Sequence, residues 1–173
     1  MPIARHPYQK VVIDTAPLID ALTLELIERE PKWEPTILRK SRLHPCLADN
    51  PTNQRSFRVL LNSIEEIIIT SHVIGEIRSE RHIPQELHAI YWKSCLNFFD
   101  THNVSEKLVT LREFNNEDRL RQIVCAVGPT DAGLVALANL EECLLLTNDS
   151  RLYNWLGAFP RMKIELVENL VGY

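Results

Sequence analysis

The stretch from Gly128 to Asp149 constrains the fold more than any other. Gly128-Pro129-Thr130-Asp131 reads as a helix start. Pro129 and Thr130 break the preceding structure, Thr130 has a side chain able to cap, and Asp131 falls where exposed backbone N–H groups favour an anion. The helix that follows carries Leu134, Val135, Leu137, Ala138 and Leu140, apolar on nearly every side, and is expected to be buried. Cys143-Leu144-Leu145-Leu146 is then a short apolar run closing in Thr147-Asn148-Asp149, the pattern of a central parallel strand. Two acids, Asp131 and Asp149, therefore stand at element ends expected to lie close together.

Earlier in the chain, Lys10-Val11-Val12-Ile13-Asp14 is a compact β-rich run, and Thr15-Ala16-Pro17 turns into a helix striped by Leu18, Leu22 and Leu26 to about Glu30. Residues 31–53 hold four prolines and the basic run Arg39-Lys40-Ser41-Arg42, and read as a long, partly irregular excursion with room for one short helix. A helix is expected from Gln54, with Phe57, Leu60, Leu61 and Ile64 on its inner face. Glu66 to Thr70 is a buried strand, and Ser71 caps a helix bearing His72, Gly75 and Glu76. Pro84 opens the next helix, Val104 to Thr110 alternates as a strand, and a helix runs from Asn116 or Glu117 to about Val127. Beyond Asp149, Arg151 to Leu156 is a short helix stopped by Gly157, and Lys163 to Val167 a final strand. Strands alternating with helices imply a single-domain α/β protein: a three-layer α/β/α sandwich around a mostly parallel sheet of four or five strands.

With 173 residues, 45% apolar and 24% charged, the chain matches one ordinary globular domain. A net charge of −4 excludes bulk electrostatic attraction to nucleic acid, so any such surface is a local patch. Four widely spaced cysteines without a Cys-x-x-Cys pair indicate a reduced chain. Met1 to Gln9 lacks the apolar segment of a signal peptide and no run is long enough to span a bilayer, so a cytoplasmic location with no membrane partner is expected.

Only five glycines are present, and neither G-x-x-x-x-G-K-S/T nor G-x-G-x-x-G occurs. G-x-S-x-G and H-E-x-x-H are also missing. A dehalogenase-type phosphatase needs a second Asp two residues after the first, where Ala16 stands. In α/β sheets function gathers at the carboxyl ends of strands. Asp14 and Asp149 close strands there, Glu76 lies on the helix after the Ile67–Ile69 strand, and Asp131 opens the buried helix. Carboxylates so placed require a proton or a cation between them, and their hard oxygens suit Mg²⁺ or Mn²⁺.

This ordered set, with Gly128-Pro129-Thr130-Asp131 and Leu146-Thr147-Asn148-Asp149 in place, resembles the PIN-domain nucleases over roughly Val11 to Val167, most closely the prokaryotic branch that includes the VapC-like toxins. The resemblance implies a pocket of Asp14, Glu76, Asp131 and Asp149 that binds one or two divalent cations. It further implies cleavage of single-stranded RNA by an activated water, with Thr147 as a polar support behind the acids. Arg39, Lys40 and Arg42 are candidate RNA contacts, because an acidic pocket needs basic neighbours to hold phosphates. The excursion at 31–53 is longer than a compact toxin of this branch needs. Partners consistent with the likeness are an antitoxin protein and a second copy of the chain.

Blander readings stand beside these. Asp131 and Asp149 are good helix-start residues. Glu76 pairs readily with Arg81, or with His72 across one turn, and His72 with Glu76 also has transition-metal spacing. The basic run is equally a solvated loop. Asp14 is harder to explain so, since an acid after Val11-Val12-Ile13 risks costly burial. A PIN-like scaffold without catalysis and, less well matched, a phosphatase are the alternative functions.

Overall fold

The computed structural model describes residues 8–41, 43–79, 83, 85–110, 118–156 and 163–172. Five parallel strands form one sheet: β1 (Lys10–Ile13), β2 (Glu66–Thr70), β3 (Val104–Lys107), β4 (Leu144–Thr147) and β5 (Ile164–Leu166), in the order β3-β2-β1-β4-β5. Val12 of the central strand faces Ile68 on one side and Leu145 on the other. Val11, Val12, Ile13, Ile67, Ile68, Leu144, Leu145 and Leu146 are buried, alternate residues toward each face, which requires helices on both. The architecture is the α/β/α sandwich expected, with all five strands parallel.

From β1 the chain steps outward to β2 and β3, then returns to the other side of β1 for β4 and β5. Right-handed crossovers place the connections before and after this return on opposite faces. The topological switch point lies where they part, at the carboxyl ends of β1 and β4.

Helix α1 (Thr15–Arg29) starts at an Asp14 cap and buries Leu18, Leu22 and Leu26 as the spacing predicts. It packs against α4 (Pro51–Asn62), α5 (Ser71–Ser79) and α6 (His88–Thr101). Between α1 and α4, the supposed irregular excursion is largely helical. A 3-10 turn (Pro31–Trp33), α2 (Glu34–Lys40) and α3 (Pro45–Ala48) lead into α4. Its prolines sit at the first or second position of these helices, where a missing N–H costs nothing, so they start helices rather than break structure. Ile37 and Leu47 are fully buried, anchoring the segment to the core.

On the return path, α7 (Asp118–Val127) packs on α8 (Pro129–Leu140), which lies across β1, β2 and β4. Every residue from Ala132 to Ala138 is buried; Leu140 at the last turn is 55% exposed, contrary to the all-round burial expected of it. Burial of Leu134, Val135 and Leu137 stabilises the fold by roughly 1.5–3 kcal/mol each. Gly128, at φ 94°, makes the turn into α8, and Pro129 takes its first position. The helix has no side-chain cap; the hydroxyl of Thr130, expected to cap, meets His72 Nε2 at 3.2 Å instead. α9 (Ser150–Leu156) joins β4 to β5, and α10 (Val167–Val171) packs against α4.

The strand after α6 ends at Lys107, short of Thr110, and the last strand is trimmed to Ile164–Leu166. Pro84, Asn116, Glu117, Gly157 and Arg81 lie outside the described residues, as do Arg42 and the side chain of Lys40. Among the described residues no helix is long and apolar enough to cross a membrane.

Candidate functional site

Asp14 stands at the carboxyl end of the central strand. Its N–H donates to the Leu146 carbonyl at 2.9 Å, carrying the β1–β4 ladder one step past the strand. Its carboxylate accepts from the Thr15 N–H at 2.6 Å and from the Thr147 hydroxyl at 2.7 Å. Burial pushes the Asp14 carboxyl above its ordinary range; these two hydrogen bonds oppose the rise, and the charges of Glu76 and Asp149 add to it.

Thr147 is fully buried, and its hydroxyl serves both strand-end acids. It donates to Asp14 and accepts the N–H of Asp149 at 3.0 Å. Asp149 then caps α9, accepting from the N–H groups of Arg151 at 2.7 Å and Leu152 at 3.2 Å. Arg151 places a guanidinium nitrogen 3.6 Å from the other Asp149 oxygen.

Glu76, one turn into α5, accepts a short hydrogen bond from the Thr15 hydroxyl, next in sequence to Asp14. Its other oxygen lies 2.9 Å from His72 Nε2, the across-one-turn pairing anticipated. Asp131 is half-buried in the first turn of α8. Burial raises its carboxyl, and the charges of Asp14, Asp149 and Glu76 raise it further, while Arg151 lowers it.

The four acids thus face one end of the sheet and act on one another electrostatically. Asp14 is joined to Asp149 through Thr147, and to Glu76 through Thr15. They do not close into a coordination shell: among the described residues no group of three or more His, Cys, Asp and Glu side chains is placed to hold an ion. Asp14, Asp149 and Glu76 spend oxygens on backbone, hydroxyl and imidazole donors instead. In donor chemistry the set still fits a hard cation, since four carboxylates in mutual repulsion are relieved by one.

An open groove of about 490 Å³ is bounded by His72, Leu108, Val109, Pro129 and Thr130; none of the four acids lines it, and His72, bonded to Glu76, is its link to them. Arg39 is exposed on α2, and no bond joins it to the acids among the described contacts.

One further acid, Asp20, belongs to no motif in the local pattern. Asp20, on α1, is only 2% exposed and accepts from the His44 N–H at 3.1 Å and from the Asn148 side-chain amide at 2.8 Å. Burial raises its carboxyl to about 6, with both hydrogen bonds opposing the rise. The available signal was an acid among buried residues six positions after Asp14, and Asn148 between Thr147 and Asp149.

Fold and site together define a doubly wound parallel α/β protein with acidic side chains at its topological switch point. No protein-family model, no curated protein and no solved structure matches the chain.

Proposed function

We propose that this chain is a Mg²⁺- or Mn²⁺-dependent endoribonuclease of PIN type acting on single-stranded RNA. The observation that carries the reading is the half-buried Asp14 at the switch point, tied through one hydroxyl to Asp149 and bordered by Glu76 and Asp131. Even partial burial of a carboxylate beside other acids is unfavourable unless something compensates, and two neutral donors only partly do so. Asp14 and Asp149 would be the principal cation ligands, with Asp131 and Glu76 completing the pocket. A cation held there supplies charge compensation for a phosphate and activation of water. Thr147 fixes the direction of Asp14, and Thr15 couples that acid to Glu76.

Cleavage of single-stranded RNA with Mg²⁺ or Mn²⁺, comparing wild type with Asp14→Asn, tests the assignment. Loss of at least ~100-fold in the variant is expected from removal of a metal ligand; equal activity would sink it. A second reading, a PIN-like scaffold without catalysis, is favoured by the capping bonds that already occupy Asp14 and Asp149. Calorimetric titration with Mn²⁺ separates the two, because a scaffold binds none with useful affinity. A toxin held by an antitoxin would use the same chemistry and show itself by toxicity on expression alone.

A further inference from the structure

The carboxyl end of β4 is held by two consecutive side chains that reach different parts of α1. Thr147 donates to Asp14, at the helix cap, and Asn148 donates to Asp20, in the second turn. Thr147 also pairs with Leu166 in the sheet, and Asp149 bonds the Thr147 hydroxyl and the start of α9. Between them, the Asn148–Asp20 bond ties the one intervening residue to α1 and so helps set the direction in which Asp149 leaves the strand.

Asp20 is an expensive residue for that task. It is almost wholly buried, and its described partners are neutral donors, the Asn148 amide and the His44 N–H. A packed apolar side chain at this position would avoid the desolvation cost altogether. The acid instead joins three segments at one point: α1, the start of α3 and the tip of β4. Through His44 it also ties the 31–53 segment to α1 and, by way of Asn148, to the tip of β4.

We infer that Asp20 is a positioning residue for the acidic site, acting through Asn148 to aim Asp149 beside Asp14. This inference rests on the nuclease reading for its effect on turnover, but not for its effect on the strand tip.

The test uses the full chain as wild type, Asp20→Ala, Asp20→Asn, Asn148→Ala and the Asp20→Ala/Asn148→Ala double variant, with Asp14→Asn as reference. Thermal midpoint, Mn²⁺ affinity by calorimetry, and kcat and KM on single-stranded RNA are measured for each. Asp20→Ala and Asn148→Ala should each lower kcat and weaken Mn²⁺ binding by ~10-fold, the scale of losing a group that orients a ligand. KM should change less than about twofold, and the double variant should be no worse than either single one, because both cut the same tether. Asp20→Asn, whose one amide oxygen can still accept from Asn148 while its NH2 faces the His44 N–H, should recover part of the loss. Wild-type kcat and Mn²⁺ affinity in folded Asp20→Ala overturn the proposal, as do losses that add in the double variant.

A readout needing neither metal nor RNA separates the two readings. Backbone NMR order parameters at residues 147–149 should fall in Asp20→Ala and stay unchanged in Thr23→Ser, a buried control one turn along α1. If wild type neither binds Mn²⁺ nor cleaves RNA, the nuclease reading fails, and the order parameters alone decide whether Asp20 holds the tip; unchanged values then overturn the inference.

Discussion

Replacing Thr147 by Val tests the link between the two strand-end acids with almost no change of shape. The hydroxyl is fully buried and makes two bonds, donating to Asp14 at 2.7 Å and accepting from the Asp149 N–H at 3.0 Å. A hydrogen bond to an ionised carboxylate contributes roughly 1.5–3 kcal/mol, and stranding a partly buried N–H adds about 1 kcal/mol. The extra methyl group offsets about 0.8 kcal/mol. The net loss is roughly 2–3 kcal/mol, or about 4–12 °C in Tm for a chain of this size.

The loss also depends on pH, in a direction the structure sets. Folding raises the Asp14 carboxyl above 3.8, so the folded state binds its proton more tightly and Asp14 costs stability as pH rises through the folded value. The Thr147 bond moderates that cost. Removing it raises Asp14 further, so the variant's deficit is largest at neutral pH and shrinks by about 1 kcal/mol once Asp14 is protonated, when only a neutral hydrogen bond is missing. Urea unfolding of both proteins at pH 7 and at acid pH measures this. A Tm within about 1 °C of wild type at pH 7, or a deficit that grows on acidification, refutes the reasoning.

Asp20→Asn should alter the pH dependence of stability. The wild-type carboxyl rises from 3.8 to about 6 on folding, so its contribution falls by roughly 2 kcal/mol from pH 4 to pH 7.5, and the variant should lose that slope in chemical denaturation. Gly128→Ala places a Cβ at φ 94° and ψ 168° with nothing within 4 Å, so its cost is backbone strain alone, about 1–3 kcal/mol by thermal melting. Mn²⁺ at about 100 times its Kd should stabilise wild type by about 2.7 kcal/mol, raising Tm by roughly 5–10 °C, with EDTA reversing the gain and Asp14→Asn failing to show it.

Local pattern decided a good deal. The apolar runs at Val11–Ile13, Ile67–Ile69 and Leu144–Leu146 specify strands buried on both faces, and the Leu18, Leu22 and Leu26 stripe specifies α1. These signals are local because side-chain periodicity follows from backbone geometry alone. The prolines of 31–53 misled because Pro starts a helix as readily as it ends one, and the choice rests on whether Ile37 and Leu47 find a core to enter. Thr130 misled because the hydroxyl that caps a free helix turns instead to a histidine 58 positions away in sequence.

The sequence by itself determined the alternating elements, the parallel sheet and the acids at strand ends. Tertiary structure alone decided the strand order, and with it the switch point that sets Asp14 beside Thr147 across 133 positions. It also decided that Asp20, outwardly one more helix acid, is buried and bonded to Asn148. Nothing local encodes those meetings. They follow from where each crossover returns the chain to the sheet, and a carboxylate's surroundings are set by which segments arrive beside it.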